Sequence, residues 1–279
     1  MKIDTINYND CSFSNLLVDS LKSSGFAVIN NHPISSKLID NVYDDWKKFF
    51  NSEKKHSYLF DYEKQDGYFP YKSENAKNYR EKDLKEFYHI YPSFGRYPDF
   101  IGKDALLLYH ELMCLSKKIL LSIDLATPKN IKRKFSIPLH KMIDGSDQNL
   151  LRIIHYPPIS QKKQQNALRA APHADINLIT LLVSGSKPGL QLKDKNNNWI
   201  DVKSNKGEIV VNIGDMLEVC SNKFYPSTIH RVINPNNKSN NVSRFSMPFF
   251  IHPRTDVILK KDLKAGTFLN NRLNEIGLK

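Results

Sequence analysis

The sequence predicts a mainly β protein with added α-helix, its core a sandwich or jelly roll. Three observations carry this. After Leu150 the chain breaks into eight short apolar runs separated by Asn-, Gly- and Pro-containing turns. Before Leu125, apolar residues recur instead at three- and four-residue steps. The 279 residues are 40% hydrophobic, with apolar residues spread along the whole length, which suffices for one large core without demanding two.

In chain order, Ser14 can cap a helix to about Ser23, with Leu16, Leu17, Val18 and Leu21 as its apolar face and Gly25 placed where a left-handed end residue is wanted. Phe26 to Ile29 reads as a short buried strand. A second helix starts near Ser35 and carries Leu38, Ile39, Val42, Trp46, Phe49 and Phe50 along one stripe, a core pattern. From Asp61 to Pro98, with Gly67 and Pro70 as breakers, a long irregular segment is expected. Lys103 to Leu125 is the longest helical pattern and should brace a sheet.

The strand-like runs that follow are Leu151 to Tyr156, Ile176 to Val183, Leu190 to Lys193, Trp199 to Val202, Ile209 to Asn212, Met216 to Val219, Thr228 to Ile233 and Arg244 to Ile251. Asp262 to Leu278 closes as an amphipathic helical stretch. The division is thus a mainly helical region over 1–125 and a β core over 126–279, integrated in one domain.

No apolar run approaches the roughly 20 residues that span a bilayer, and Met1 to Asp10 lacks a basic segment followed by an apolar one. The expectation is a cytoplasmic protein without membrane insertion. Cys11, Cys114 and Cys220 are odd in number and far apart, which argues against a disulfide framework. The formal charge of +12 raises nucleic acid as a partner. Its lysines are scattered as pairs such as Lys47/Lys48 and Lys162/Lys163, the pattern of a solvated surface, so a small-molecule substrate is the better reading.

His173-Ala174-Asp175 precedes one strand candidate, and His230 lies inside a later one. Side chains two apart on an extended chain project to the same side, so His173 and Asp175 can grip one ion, with the distant His supplied by a paired strand. Two imidazoles and one carboxylate form a facial triad, which leaves coordination positions open for catalysis. Alone, a His-x-Asp pair is equally a strand-edge histidine bonded to a nearby carboxylate. Arg244 and Ser246 share one face of the last strand candidate and could bind a carboxylate through charge-assisted hydrogen bonds. A surface Arg on an edge strand is the bland alternative, but the apolar run Phe245 to Ile251 suits it poorly, since a buried charge needs a partner.

Taken with their surroundings, these segments resemble the isopenicillin N synthase-like family of iron(II)/2-oxoglutarate-dependent oxygenases. The matching pieces are Leu151-Arg152 with Tyr156-Pro157-Pro158, then Pro172-His173-Ala174-Asp175 through Leu182. Pro188-Gly189-Leu190-Gln191, Val211 to Met216, Ser227 to Val232 and Arg244-Phe245-Ser246 follow, with Gly25-Phe26 to Asn31-His32 and Phe49-Phe50 nearer the N-terminus. The resemblance covers nearly the whole chain. It implies a double-stranded β-helix (jelly-roll) core braced by N-terminal and peripheral helices. It also implies an iron(II) site at His173, Asp175 and His230, with dioxygen as oxidant and 2-oxoglutarate as a co-substrate decarboxylated to succinate. Arg244 and Ser246 correspond to the pair that holds the distal 2-oxoglutarate carboxylate, helped by Tyr156. Many plant members carry Asn two residues before that tyrosine, where this chain has Ile154.

His32, His89, His155 and His252 read as structural or pocket histidines, with His89 ranked first for substrate contact and Tyr68 and Phe87 equally packing residues. Cys220 reads as a small buried hydrophobe, and Asn212 to Asp215 as a tight turn whose Gly214 supplies a backbone conformation that other residues resist. Three other functions compete with the main reading. One is an isopenicillin N synthase-like oxidase that does not use 2-oxoglutarate. The others are a jelly-roll binding module with a vestigial or zinc-filled site, and a nucleic-acid-modifying oxygenase.

Overall fold

A computed structural model describes residues 3–74, 79–159, 167–185, 187–236 and 238–275. Strand β1 (Thr5–Asn7) leads into helix α1 (Phe13–Ser24), which ends where Gly25, at φ 75°, returns its N–H to the carbonyl of Leu21. Strand β2 (Phe26–Asn30) and helix α2 (Ser36–Asn51) follow. The stretch expected to be irregular contains two strands, β3 (Gly67–Phe69) and β4 (Glu86–Ile90). Helix α3 (Asp104–Ala126) precedes two single-turn helices, α4 (Lys129–Lys132) and α5 (Leu139–Met142).

The second half supplies β5 (Leu150–Tyr156), β6 (Ala170–His173), β7 (Ile179–Val183), β8 (Leu190–Lys193), β9 (Trp199–Asp201) and β10 (Ile209–Ile213). Helix α6 (Asp215–Cys220), β11 (His230–Val232) and β12 (Arg244–Ile251) come next. A small hairpin, β13 (Ile258–Lys260) and β14 (Leu263–Lys264), then hands over to α7 (Ala265–Glu275). The last three residues of the expected closing helix, 276–278, lie outside the described residues.

An eight-stranded sheet, ordered β1-β2-β10-β7-β12-β5-β4-β3, faces a four-stranded sheet, ordered β6-β11-β8-β9. This is the jelly roll, and four strands from before Leu150 extend its larger sheet at both edges. Alternation along the strands builds two cores. Phe26, Val28, Ile154, Tyr156, Val210 and Leu192 fill the space between the sheets. Ala27, Ile29, Leu151, Ile153, Val211 and Phe249 point the other way, onto α1, α2 and α3 with Trp46 and Leu112. Each Val, Leu, Ile or Phe side chain so withdrawn from water contributes about 1.5 to 3 kcal/mol, which favours the observed register.

Met216 to Val219 is not a strand but lies within α6: the Asp215 N–H donates to the Asp175 carbonyl and the Met216 N–H to that of Ile176, turning the chain at once. Met216, Leu217 and Cys220 are then buried at helical spacing, a pattern that a four-residue apolar run cannot distinguish from a strand. Conversely, β6 has no strand-like apolar run in the sequence, because Pro172 and the flanking Arg169 and His173 break it. It is nonetheless the strand that carries His173.

Candidate metal and co-substrate site

Strands β6 and β11 pair antiparallel, with His173 directly opposite His230 and the ring centroids 4.4 Å apart. Asp175 follows two residues after His173. Its Oδ1 lies 3.9 Å from His173 Nε2 and 3.8 Å from His230 Nε2. Candidate ligand atoms of the three residues all lie within 4.8 Å of one another, the only such group of His, Cys, Asp or Glu among the described residues.

The tautomers suit a cation. His173 Nδ1 is 2.7 Å from the Ala171 carbonyl and His230 Nδ1 is 3.1 Å from that of Thr228. A carbonyl only accepts, so both Nδ1 atoms carry the proton and both Nε2 lone pairs are free to bind metal. Burial, and next the neighbouring His230, push His173 below its ordinary range, which keeps the ring neutral. For Asp175, burial opposes the charged form. The two imidazoles and hydrogen bonds from Thr180 and Asn212 outweigh it and lower the carboxyl below its usual range.

Those two hydrogen bonds set the carboxylate's orientation. Thr180 Oγ1 donates to Asp175 Oδ2 at 2.5 Å and Asn212 Nδ2 donates to the same atom at 2.8 Å, leaving Oδ1 toward the imidazoles. Neither residue was identified in the sequence as part of the site. Asn212, expected both at the end of a strand run and at the start of a tight turn, stands in β10 and reaches Asp175 from the facing sheet.

Arg244, Ser246 and Tyr156 come together on the inner face of the large sheet: Arg244 pairs with Tyr156 and Ser246 with Ile154 in the β12·β5 register. All three are buried, and Arg244 Cζ sits 5.0 Å from the Tyr156 ring centroid. Arg244 Nε donates to the Lys187 carbonyl at 2.9 Å, while its Nη1 is buried with no hydrogen-bond partner among the described residues. A buried charge left so is costly unless an anion completes it. The group has space only because residue 185 is glycine, where a Cβ would stand 2.8 Å from Arg244 Nη2.

A cavity of about 580 Å³ opens over His173 and Asp175 and is lined on one wall by Glu74, Lys85, His89 and Arg152 and on another by Leu269 and Arg272 of α7. Arg244, Ser246 and Tyr156 do not line it; they lie deeper, between the sheets. Lys85 Nζ is 2.8 Å from both Glu74 Oε2 and Asp83 Oδ2, and Arg152 Nη1 is 3.3 Å from the same Glu74 oxygen. Burial disfavours these charges, but their mutual attraction wins: Glu74 is lowered and Lys85 raised. Arg152 Nη2 makes no hydrogen bond among the described residues and is the wall's available donor.

Of the other histidines, His89 and His252 line the cavity, whereas His155 turns away to Glu86 and His32 is held to the Gly207 carbonyl. Tyr68 lies on the far face of the sheet with Glu86, a packing role. Cys220 is buried and its thiol is pushed up to about 12 by that burial, consistent with a small apolar residue.

Comparison with known proteins points one way. The model of the 2OG-Fe(II) oxygenase superfamily matches residues 148–253, and that of the N-terminal region of non-haem dioxygenases in morphine synthesis matches residues 3–103. A 2-oxoglutarate-Fe(II) type oxidoreductase of Emericella nidulans, hxnY, is 28% identical over 87% of this chain and 74% of its own. Among solved structures, a Shewanella oneidensis protein assigned as an oxygenase is 44% identical, covers 100% of both chains and superposes with a TM-score of 0.90. A Caulobacter crescentus protein of the 2OG-Fe(II) oxygenase family is 30% identical over 98% of this chain and 99% of its own, with a TM-score of 0.82.

Proposed function

Because the chain belongs to the 2-oxoglutarate- and iron(II)-dependent oxygenases, we propose that His173, Asp175 and His230 hold its iron(II), and that Arg244, Ser246 and Tyr156 hold 2-oxoglutarate. The convergence of two Nε2 atoms and Asp175 Oδ1, with both Nδ1 protons already spent on backbone carbonyls, carries the metal assignment. The unpartnered Arg244 Nη1 supports the co-substrate assignment, since 2-oxoglutarate brings the missing anion. When bound, iron and 2-oxoglutarate supply the oxidising power from dioxygen, with succinate and carbon dioxide as co-products.

The protein's share is placement. Thr180 and Asn212 hold one Asp175 oxygen so that the other stays on the metal side. Arg244 anchors the far carboxylate and so sets the direction from which the 2-oxo acid end reaches the triad. Substrate enters the cavity above His173 and meets a wall in which Glu74 and Asp83 balance Lys85 and Arg152. Such a wall favours a small polar molecule whose acceptor meets Arg152 Nη2, and the outcome is hydroxylation or a related oxidation. The exposed free thiols of Cys11 and Cys114 suit a reducing compartment such as the cytoplasm. Screening small polar molecules for stimulated succinate release by iron(II)-loaded protein tests the reading. Stimulated oxygen uptake with no loss of 2-oxoglutarate would instead favour the oxidase alternative.

A further inference from the structure

Arg169 stands immediately before β6, with its side chain buried. Its backbone N–H donates to Asn234 Oδ1 at 3.0 Å and its Nη2 donates to the Val242 carbonyl at 2.7 Å. The guanidinium is thus pinned beside the chain two residues before Arg244, at the end of the barrel where Tyr156 closes β5 and β12 begins. Its neighbour Ala170 packs in the same interior cluster as Tyr156. Arg169 Nε is buried and finds no hydrogen-bond partner among the described residues, the same condition as Arg244 Nη1. Neither guanidinium has an ion pair there; the side-chain hydrogen bonds of each go to a backbone carbonyl alone.

Two buried like charges without a counter-ion are costly twice over, through desolvation and through repulsion. The pair is close enough to interact: Arg169 Nη2 sits 2.7 Å from the carbonyl of Val242, two residues before Arg244, and burial together with the Arg244 charge lowers Arg169 below its ordinary range. One anionic group between them relieves both costs and satisfies both orphaned N–H donors.

We propose that Arg169 is a second guanidinium for the distal carboxylate of 2-oxoglutarate, its Nε donating to the carboxylate that Arg244 Nη1 binds. This rests on the assignment of Arg244 to that carboxylate. It makes the deep end of the site selective for 2-oxo acids with a second negative charge over those with one.

The test is calorimetric titration of the manganese(II)-loaded full chain with 2-oxoglutarate and with 2-oxobutyrate, which lacks the distal carboxylate. Arg169→Met is expected to weaken 2-oxoglutarate about tenfold and leave 2-oxobutyrate unchanged, with Arg169→Lys in between. A role confined to holding the Val242 carbonyl predicts otherwise: a lower melting temperature with the ratio of the two affinities at its wild-type value, a result that overturns the inference. If the Met variant does not fold, Arg169→Lys decides in the same way, on a loss confined to 2-oxoglutarate. Unchanged 2-oxoglutarate affinity in the Arg169 variants, set against a loss in Arg244→Met, defeats this inference alone. Absence of 2-oxoglutarate binding by the wild type defeats the co-substrate assignment and this inference with it.

Discussion

Arg152 Nε donates to His89 Nε2 across 2.8 Å, so the proton of that imidazole resides on Nδ1, 2.6 Å from the Gln65 carbonyl. His89 therefore lines the cavity with both ring nitrogens engaged, and what it does there is orient Arg152.

The same relationship predicts a pH dependence. Burial, and then the Arg152 charge, hold His89 well below its ordinary range, and burial brings His252 down to about 4. Both folded-state values lie below the unfolded one, so their stability contribution is fully present above about pH 6.5 and lost as pH falls from there toward the folded values. Each such histidine costs about 1.4 kcal/mol per pH unit within that window. Melting temperatures taken from pH 7 to pH 5 should fall, and less steeply for His89→Gln, which can still accept from Arg152 and donate to the Gln65 carbonyl. An equal slope in the variant contradicts the assignment.

Thr180→Val tests the orientation of Asp175. It removes the 2.5 Å hydrogen bond while keeping the side-chain shape, and should weaken metal binding roughly 10- to 100-fold. His230→Ala removes a ligand and should abolish both metal binding and turnover with the fold retained. Equilibrium dialysis against manganese(II) reads both, with one ion per chain expected for the wild type. A Thr180→Val protein with wild-type affinity would show that the carboxylate needs no such support.

Gly214→Ala should cost about 3 kcal/mol, measured by urea unfolding. The reason differs from the one expected of a turn glycine. Its φ of −101° is open to any residue, but a Cβ there would stand 2.1 Å from the Asn177 carbonyl oxygen. Asn, which tolerates left-handed backbone, should therefore be no better than Ala. Rescue by Asn would restore the conformational explanation.

These cases show what the sequence discloses. His173 and Asp175 are legible because two residues on one extended segment share a side, and Arg244 because a charge in an apolar run calls for a partner. Thr180 and Asn212 are not legible: their role depends on β10 and β7 lying side by side, with Asn212 opposite Thr180, and both are unremarkable within their own strands. Glu74, Lys85 and Arg152 come from three separate stretches and meet only because β4 pairs with β5. Arg169 carried a visible signal, a cation in a run of alanines four residues before His173, but nothing local said that it would be buried.

Arg244 bears the last prediction. Arg244→Leu removes a charge-assisted partner worth roughly 1.5 to 3 kcal/mol, so 2-oxoglutarate affinity should fall about ten- to hundredfold. Arg244→Lys should recover only part, since it keeps the charge but loses the planar fork and the Nε donor that grips the Lys187 carbonyl. Gly185→Ala adds a subtler test: its Cβ would stand 2.8 Å from Arg244 Nη2 and 2.9 Å from the Phe245 carbonyl, so the guanidinium must shift while its charge is unchanged. Anaerobic titration should rank the proteins wild type, Gly185→Ala, Arg244→Lys, Arg244→Leu in falling affinity. The middle order separates geometry from charge. If Gly185→Ala binds as weakly as Leu, placement of the fork dominates; if it binds like the wild type, the pocket tolerates movement and the positive charge alone is enough.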